Sequence, residues 1–122
     1  MDWPVEPIPD QDNIYCRVHQ MYIKSDGIFP AAFTNRPKGS ESMSVDWAKY
    51  TAPEETRARA RKPIENAIVQ FVVGQVRAIP GQRVEHSPDV LRGNRSHSDV
   101  VGDKTPEVRT LLSRIYQLRI PL

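Results

Sequence analysis

The densest apolar run in the chain is Ala67-Ile68-Val69-Gln70-Phe71-Val72-Val73, and its apolar side chains fall on both faces of a pleat. A β-branched, aromatic run of this length, entered after Pro63, predicts a central strand covered on both sides. Ile14-Tyr15-Cys16-Arg17-Val18-His19 behaves differently, because it alternates. Ile14, Cys16 and Val18 fall on one face and Tyr15, Arg17 and His19 on the other, as a strand with one buried and one usable polar face requires. Further short strands are expected at Met43 to Trp47, Gln82 to His86 and Ser96 to Val101, the last closed by Gly102. Gly74 to Ile79 reads as one short helical turn, with a strand as the alternative.

The helical period appears twice. Thr51-Ala52-Pro53-Glu54 combines an N-cap residue, a first-turn proline and an acid three residues after the cap, so a helix is expected over about 52–61, ending before Pro63. Thr105-Pro106-Glu107 repeats the start signal, and Val108, Leu111, Leu112 and Ile115 follow at the spacing of one apolar stripe. Arg109, Arg114 and Arg119 then form its wet side. Ser25-Asp26-Gly27 marks a turn, and residues 35–42 read as a Pro-, Gly- and Ser-rich loop. Pro4, Pro7 and Pro9 make residues 1–13 an extended arm with Trp3 as its anchor. Residues 14–122 are then a single α+β domain. Its expected parts are a mixed or mainly antiparallel sheet of four to six strands, a C-terminal amphipathic helix packed on the sheet, and a second short helix.

Composition narrows the role more than the fold. Hydrophobic residues make up 39% of the 122 positions and prolines number 11, which points to a modest core carrying much loop. A net charge of +2 is too small to imply a nucleic-acid partner by itself. Cys16 is the sole cysteine, so neither an intrachain disulfide nor a cysteine-based zinc site can form. The acidic start at Asp2, Glu6 and Asp10 does not fit a secretory signal, and no apolar run approaches the ~20 residues that span a bilayer. A cytoplasmic protein with no membrane association is the expectation.

One ordered set of short motifs comprises Arg17-Val18-His19, Asp26-Gly27, Ala31-Ala32-Phe33, Met43-Ser44-Val45-Asp46, Gly74 to Arg77, and Asn94 to Gly102. This set resembles a group of small uncharacterised bacterial proteins, over most of the chain from Tyr15 to about Ile115. The resemblance implies a bacterial single domain and draws interest to His19 and His97, but it brings no set of catalytic residues with it.

Three sets of residues could carry function. If the strands bearing them are neighbours, Arg17, His19, His97 and Asp99 converge: two imidazoles could serve as base and acid, the arginine could hold a phosphate, and Asp99 could orient His97. That set would suit an enzyme acting on a phosphodiester or nucleotide, by RNA cleavage or transfer. Arg57, Arg59, Arg61 and Lys62, with Trp47 and Tyr50 nearby, would suit an RNA- or DNA-binding accessory protein, although Arg57 and Arg61 share a helical face that Arg59 does not. Trp3, Trp47 and Tyr50 would anchor a protein partner if exposed. The three histidines, with Asp46 or Asp99, match no closed zinc spacing, so no metal is expected. No GK[ST] phosphate loop and no G-x-S-x-G elbow occurs, and no cofactor is expected. A small accessory or protein-interaction module, with a protein partner, is therefore the leading expectation.

Overall fold

A computed structural model describes residues 2–37 and 39–122. Met1 of the arm and Lys38 of the loop at 35–42 lie outside the described residues. The alternating segment forms β1 (Asn13–His19), and β2 (Ile23–Lys24) and β3 (Gly27–Ile28) make a small hairpin around the Ser25-Asp26 turn. Then come β4 (Ser42–Trp47), α1 (Pro53–Ala58), β5 (Asn66–Val72), α2 (Val73–Arg77), β6 (Arg83–His86), β7 (His97–Val101), α3 (Pro106–Ile115) and β8 (Gln117–Ile120). The main sheet has the order β6-β7-β4-β1-β5-β8, and its neighbouring strands all pair antiparallel. The fold is a single small α+β domain.

Alternation decides which side of the sheet is dry. Ile14, Cys16 and Val18 of β1 align with Met43, Val45 and Trp47 of β4 and with Val69 and Phe71 of β5 in one apolar layer. That layer is closed by α2 through Val73 and Val76, by α3 through Val108 and Leu112, and by Phe33, whose ring meets Phe71 edge-on at 5.5 Å between centroids. The β5 run is interior and buried on both faces, as its composition requires. Its place is between β1 and β8, however, and β4 and β1 are the middle pair.

Three local expectations are corrected. The cap of α1 is Ala52, one residue later than Thr51, because Pro53 takes the first helical position; Glu55 then reaches back to accept the Ala52 N–H at 2.9 Å. In α3, Thr105 caps as expected and Leu112 is fully buried, but Leu111 is 40% exposed. At 100° per residue Leu111 lies about 60° to one side of Val108, at the edge of the buried stripe. Arg119 belongs to β8 rather than to a helix, and its guanidinium hydrogen-bonds Gln70.

The arm is fastened to the domain by Ile8, which is 3% exposed, more firmly than by the half-buried Trp3. The Asp12 and Asp10 carbonyls accept the N–H groups of Val73 and Gly74 at 2.9 and 2.8 Å, satisfying donors at the start of α2. A Cβ on Gly74 would come within 3.1 Å of Asp10, so the close approach of arm to helix favours glycine there. No helix is long and apolar enough to cross a membrane among the described residues.

Candidate functional site

The second face of the sheet carries Tyr15, Arg17 and His19 of β1, Ser44 and Asp46 of β4, and His97 and Asp99 of β7. Register sets their rows: Tyr15 faces Asp46 and Asp46 faces His97, while Ser44 faces Asp99. Helix α1 lies over the β1, β5 and β8 part of this face and leaves the β4–β7 part open. The pairing of β1 with β4 covers just Ile14↔Trp47 and Tyr15↔Asp46, so the middle strands part beyond Tyr15.

A cleft of about 560 Å³ occupies that opening. Its floor is Tyr15, Arg17, Ser44, Asp46 and His97; Thr56 of α1 and Arg59 at its C-cap form one wall, Asp89, Arg92 and Asn94 of the loop before β7 another, and Arg36 the rim. Four guanidinium groups thus meet in one concavity. Three are positioned by carboxylates: Arg59 by Asp46 at 2.9 Å, Arg92 by Asp89 at 3.1 Å and Arg36 by Asp99 at 3.3 Å. Arg92 also donates its backbone N–H to Asp89, and these two bonds hold the Asp89 carboxyl below the usual aspartate range. Arg17 is exposed and has no carboxylate partner among the described residues.

Asp46 binds the parts of the site together. It is 6% exposed; its Oδ2 accepts from Thr56 Oγ1 and Arg59 Nη1, both at 2.9 Å, and its Oδ1 accepts from Asn94 Nδ2 at 3.0 Å. One buried carboxylate therefore ties α1 and the Asp89–Asn94 loop to the middle of the sheet. Asn94 in turn accepts the Ser96 backbone N–H at 3.1 Å, so the loop enters β7 in a fixed conformation.

His97 is held from behind. Its Nδ1 lies 2.9 Å from the Ser87 carbonyl and 3.0 Å from Ser87 Oγ. A carbonyl can only accept, so Nδ1 carries the hydrogen, and in the neutral ring Nε2 is the free acceptor. Ser44 Oγ is 3.3 Å from that Nε2 and itself accepts from Arg36 Nη1 at 2.9 Å. The Ser87 hydroxyl donates to Asp99 Oδ2 at 2.7 Å. Asp99 thus reaches His97 through the Ser87 hydroxyl.

The four residues Arg17, His19, His97 and Asp99 share a face without forming one cluster. Arg17 and His97 line the cleft and Asp99 backs it. His19 lies at the far end of β1, where Nε2 meets Glu65 at 3.0 Å and Nδ1 accepts the Met21 N–H at 3.1 Å. With ~4.8 Å between strands and ~3.4 Å per residue, the register places the Cα atoms of His19 and His97 roughly 17 Å apart, too far to act on one atom directly or through one water. His86 is structural: it is 3% exposed, accepts the Glu6 N–H on Nδ1 and donates from Nε2 to the Arg95 carbonyl, with its ring against Trp47 and Tyr50.

The expected binding anchors divide in the same way. Trp47 is 1% exposed and belongs to the core, so it cannot present a face to a partner; it is the apolar member of its alternating strand, and its Nε1 donates to Asp12 at 2.9 Å. Tyr50 is half-buried and hydrogen-bonds Glu6, whose carboxyl is lowered in pKa by its bonds to Lys49 and Tyr50. Arg57 turns inward to the Pro63 and Asn66 carbonyls at 3.0 Å, while Arg61 stays exposed. Cys16 is buried, and burial pushes its thiol up to about 12, so it is no nucleophile. Ser44, which entered only within the Met43–Asp46 motif, completes the cleft with Arg36, Arg92 and Asp89, none of which was singled out as a site residue. The Ser-x-Asp alternation of β4 could have placed Ser44 beside Asp46, but the loop residues carry no periodic signal.

No group of histidine, cysteine and acidic side chains suited to a metal ion occurs among the described residues. No protein-family model matches the chain, and neither a curated protein nor a solved structure is found to be similar to it.

Proposed function

We propose that this protein is a small accessory binding module whose cleft captures an oxyanion, a phosphate ester or a carboxylate, borne by its partner. The observation that carries this reading is Arg17, a guanidinium without a carboxylate partner among the described residues, in a cleft whose other arginines are already held in position by acids. Arginine offers a planar fork that matches either oxyanion, and pre-positioned donors lose little freedom when a ligand arrives. A volume of about 560 Å³ lies within the range of pockets that enclose small molecules or the side chain of a partner. Tyr15, the aromatic residue of the floor, is 7% exposed and offers no open face for stacking a base, which favours recognition of the charged group over recognition of a nucleobase.

Calorimetric titration with phenyl phosphate and with benzoate distinguishes the two oxyanions. Saturable binding of at least one is expected, weakening as sodium chloride is raised and falling at least tenfold in Arg17→Ala. Absence of binding, or equal affinity in Arg17→Ala, would overturn the reading.

A further inference from the structure

We propose that the cleft also contains an acyl-transfer centre, with Ser44 as nucleophile and His97 as its base, acting on carboxylic esters that bear a second, anionic group. The inference rests on the oxyanion-binding reading for its substrate class, and on a separate set of contacts for its chemistry. A nucleophile–base pair needs the hydroxyl within hydrogen-bond reach of an imidazole whose other nitrogen is fixed by a third group. Ser44 Oγ and His97 Nε2 are 3.3 Å apart, and His97 Nδ1 is fixed by Ser87. Asp99 accepts from the Ser87 hydroxyl, which places a negative charge behind the ring that must become positive. His97 Nε2 is therefore committed as acceptor toward the cleft.

The hydroxyl is polarised from its other side as well. Arg36 Nη1 donates to Ser44 Oγ at 2.9 Å, so a guanidinium lies beside the attacking oxygen and favours its loss of the proton. In the reaction, Ser44 Oγ attacks the ester carbonyl carbon while its proton passes to His97 Nε2. The oxyanion of the tetrahedral intermediate forms next to Arg36. The carbon–oxygen bond to the leaving alkoxide then breaks, and that alkoxide takes the proton from Nε2. Water repeats the sequence on the acyl-serine: its proton goes to Nε2, its oxygen joins the acyl carbon, and Ser44 Oγ leaves with the proton from His97. The products are an alcohol and a carboxylic acid, and no oxidant, metal or co-reactant is used. Arg17 would hold the second anionic group of the ester, whereas Ser87 and Asp99 are positioning residues that touch no substrate.

Two probes test the centre in the intact chain. Diisopropyl fluorophosphate should form a phosphorus–oxygen bond at Ser44 with loss of fluoride, giving an adduct that peptide mass spectrometry places on Ser44 and that is absent from Ser44→Ala. Hydrolysis of mono(4-nitrophenyl) succinate should exceed that of 4-nitrophenyl acetate at least tenfold in kcat/KM. Arg17→Ala should abolish that preference while retaining the Ser44 adduct. Asp99→Asn should move the acidic limb of the pH–rate profile, a response that loss of packing alone would not produce. Ser44→Ala should lose hydrolysis yet still bind phenyl phosphate or benzoate, which also shows that the variant folds. A wild-type protein that binds the anions but gives neither adduct nor hydrolysis would refute the catalytic centre and leave the binding reading standing. A Ser44 adduct without anion binding would do the reverse. Hydrolysis equal in wild type and Ser44→Ala would assign the activity elsewhere.

Discussion

Replacing Asp46 by alanine should weaken the fold at the point where its layers meet. The carboxylate is buried and accepts three hydrogen bonds, from Thr56, Arg59 and Asn94. Thr56 is 2% exposed and Asn94 7%, so water cannot readily replace the lost acceptor for either, and each stranded donor costs ~1–3 kcal/mol. The Arg59 side chain is about a third exposed and can turn to solvent, so its share is small. The Thr56 hydroxyl can rotate toward another acceptor, which recovers part of its cost. A total loss of about 3 kcal/mol follows, a large fraction of the 5–15 kcal/mol typical of a domain. Asp46→Asn keeps a carbonyl oxygen in place and should lose less, about 1–2 kcal/mol. Urea unfolding followed by tryptophan fluorescence measures both, through Trp47 next to the substituted site. A loss below ~1 kcal/mol for Asp46→Ala, with an unchanged m value, would refute the view that this carboxylate ties helix and loop to the sheet.

Two further outcomes bear on the core and on pH. Leu112→Ala removes a fully buried side chain of α3 and should cost ~2–5 kcal/mol by denaturant unfolding, while Leu111→Ala, at a partly exposed position, should cost clearly less; equal losses would contradict the stripe described for that helix. Lys104 is 7% exposed, bonded to the Val100 and Gly102 carbonyls, and burial lowers its pKa from the ordinary 10.5 to about 8. The unfolded chain keeps that proton to higher pH than the folded one, so the Lys104 contribution to stability should rise between about pH 8 and pH 10.5, by at most ~3 kcal/mol. Lys104→Met should lack this rise when its unfolding midpoints are compared with wild type across the same window, and parallel pH curves for the two proteins would contradict it.

The parts of this fold that were legible in the sequence are those governed by local period. The alternation of β1 correctly separates Ile14, Cys16 and Val18 from Tyr15, Arg17 and His19, and the doubly apolar run of β5 is buried on both faces. Strand β8 left no such mark: Gln117-Leu118-Arg119-Ile120 is largely exposed, and the chain passes from α3 into it through Tyr116 without a Gly or Pro signal. Alternation also put Arg17 with His19 and His97 with Asp99, whereas the common face of the two pairs follows from the register of β1, β4 and β7. The separation of His19 from His97 was not legible either, because it depends on the order β7-β4-β1 and on where β1 and β4 stop pairing. Trp47 shows the same limit from the other direction. Its position alternates with Ser44 and Asp46, which puts it on the dry side, yet its large aromatic ring suggested a binding anchor.

Under the proposed function, the cleft between the diverging middle strands receives an oxyanion at Arg17. The most direct test is amide chemical-shift mapping by two-dimensional NMR during titration with phenyl phosphate or benzoate at low salt. Saturable shifts should concentrate at Tyr15–Arg17 on β1, Ser44–Asp46 on β4, and Asp89–His97 before and at the start of β7, and should need at least tenfold more ligand in Arg17→Ala. Shifts that fall instead on the exposed faces of α1 or β8, or that persist unchanged in Arg17→Ala, would contradict the account.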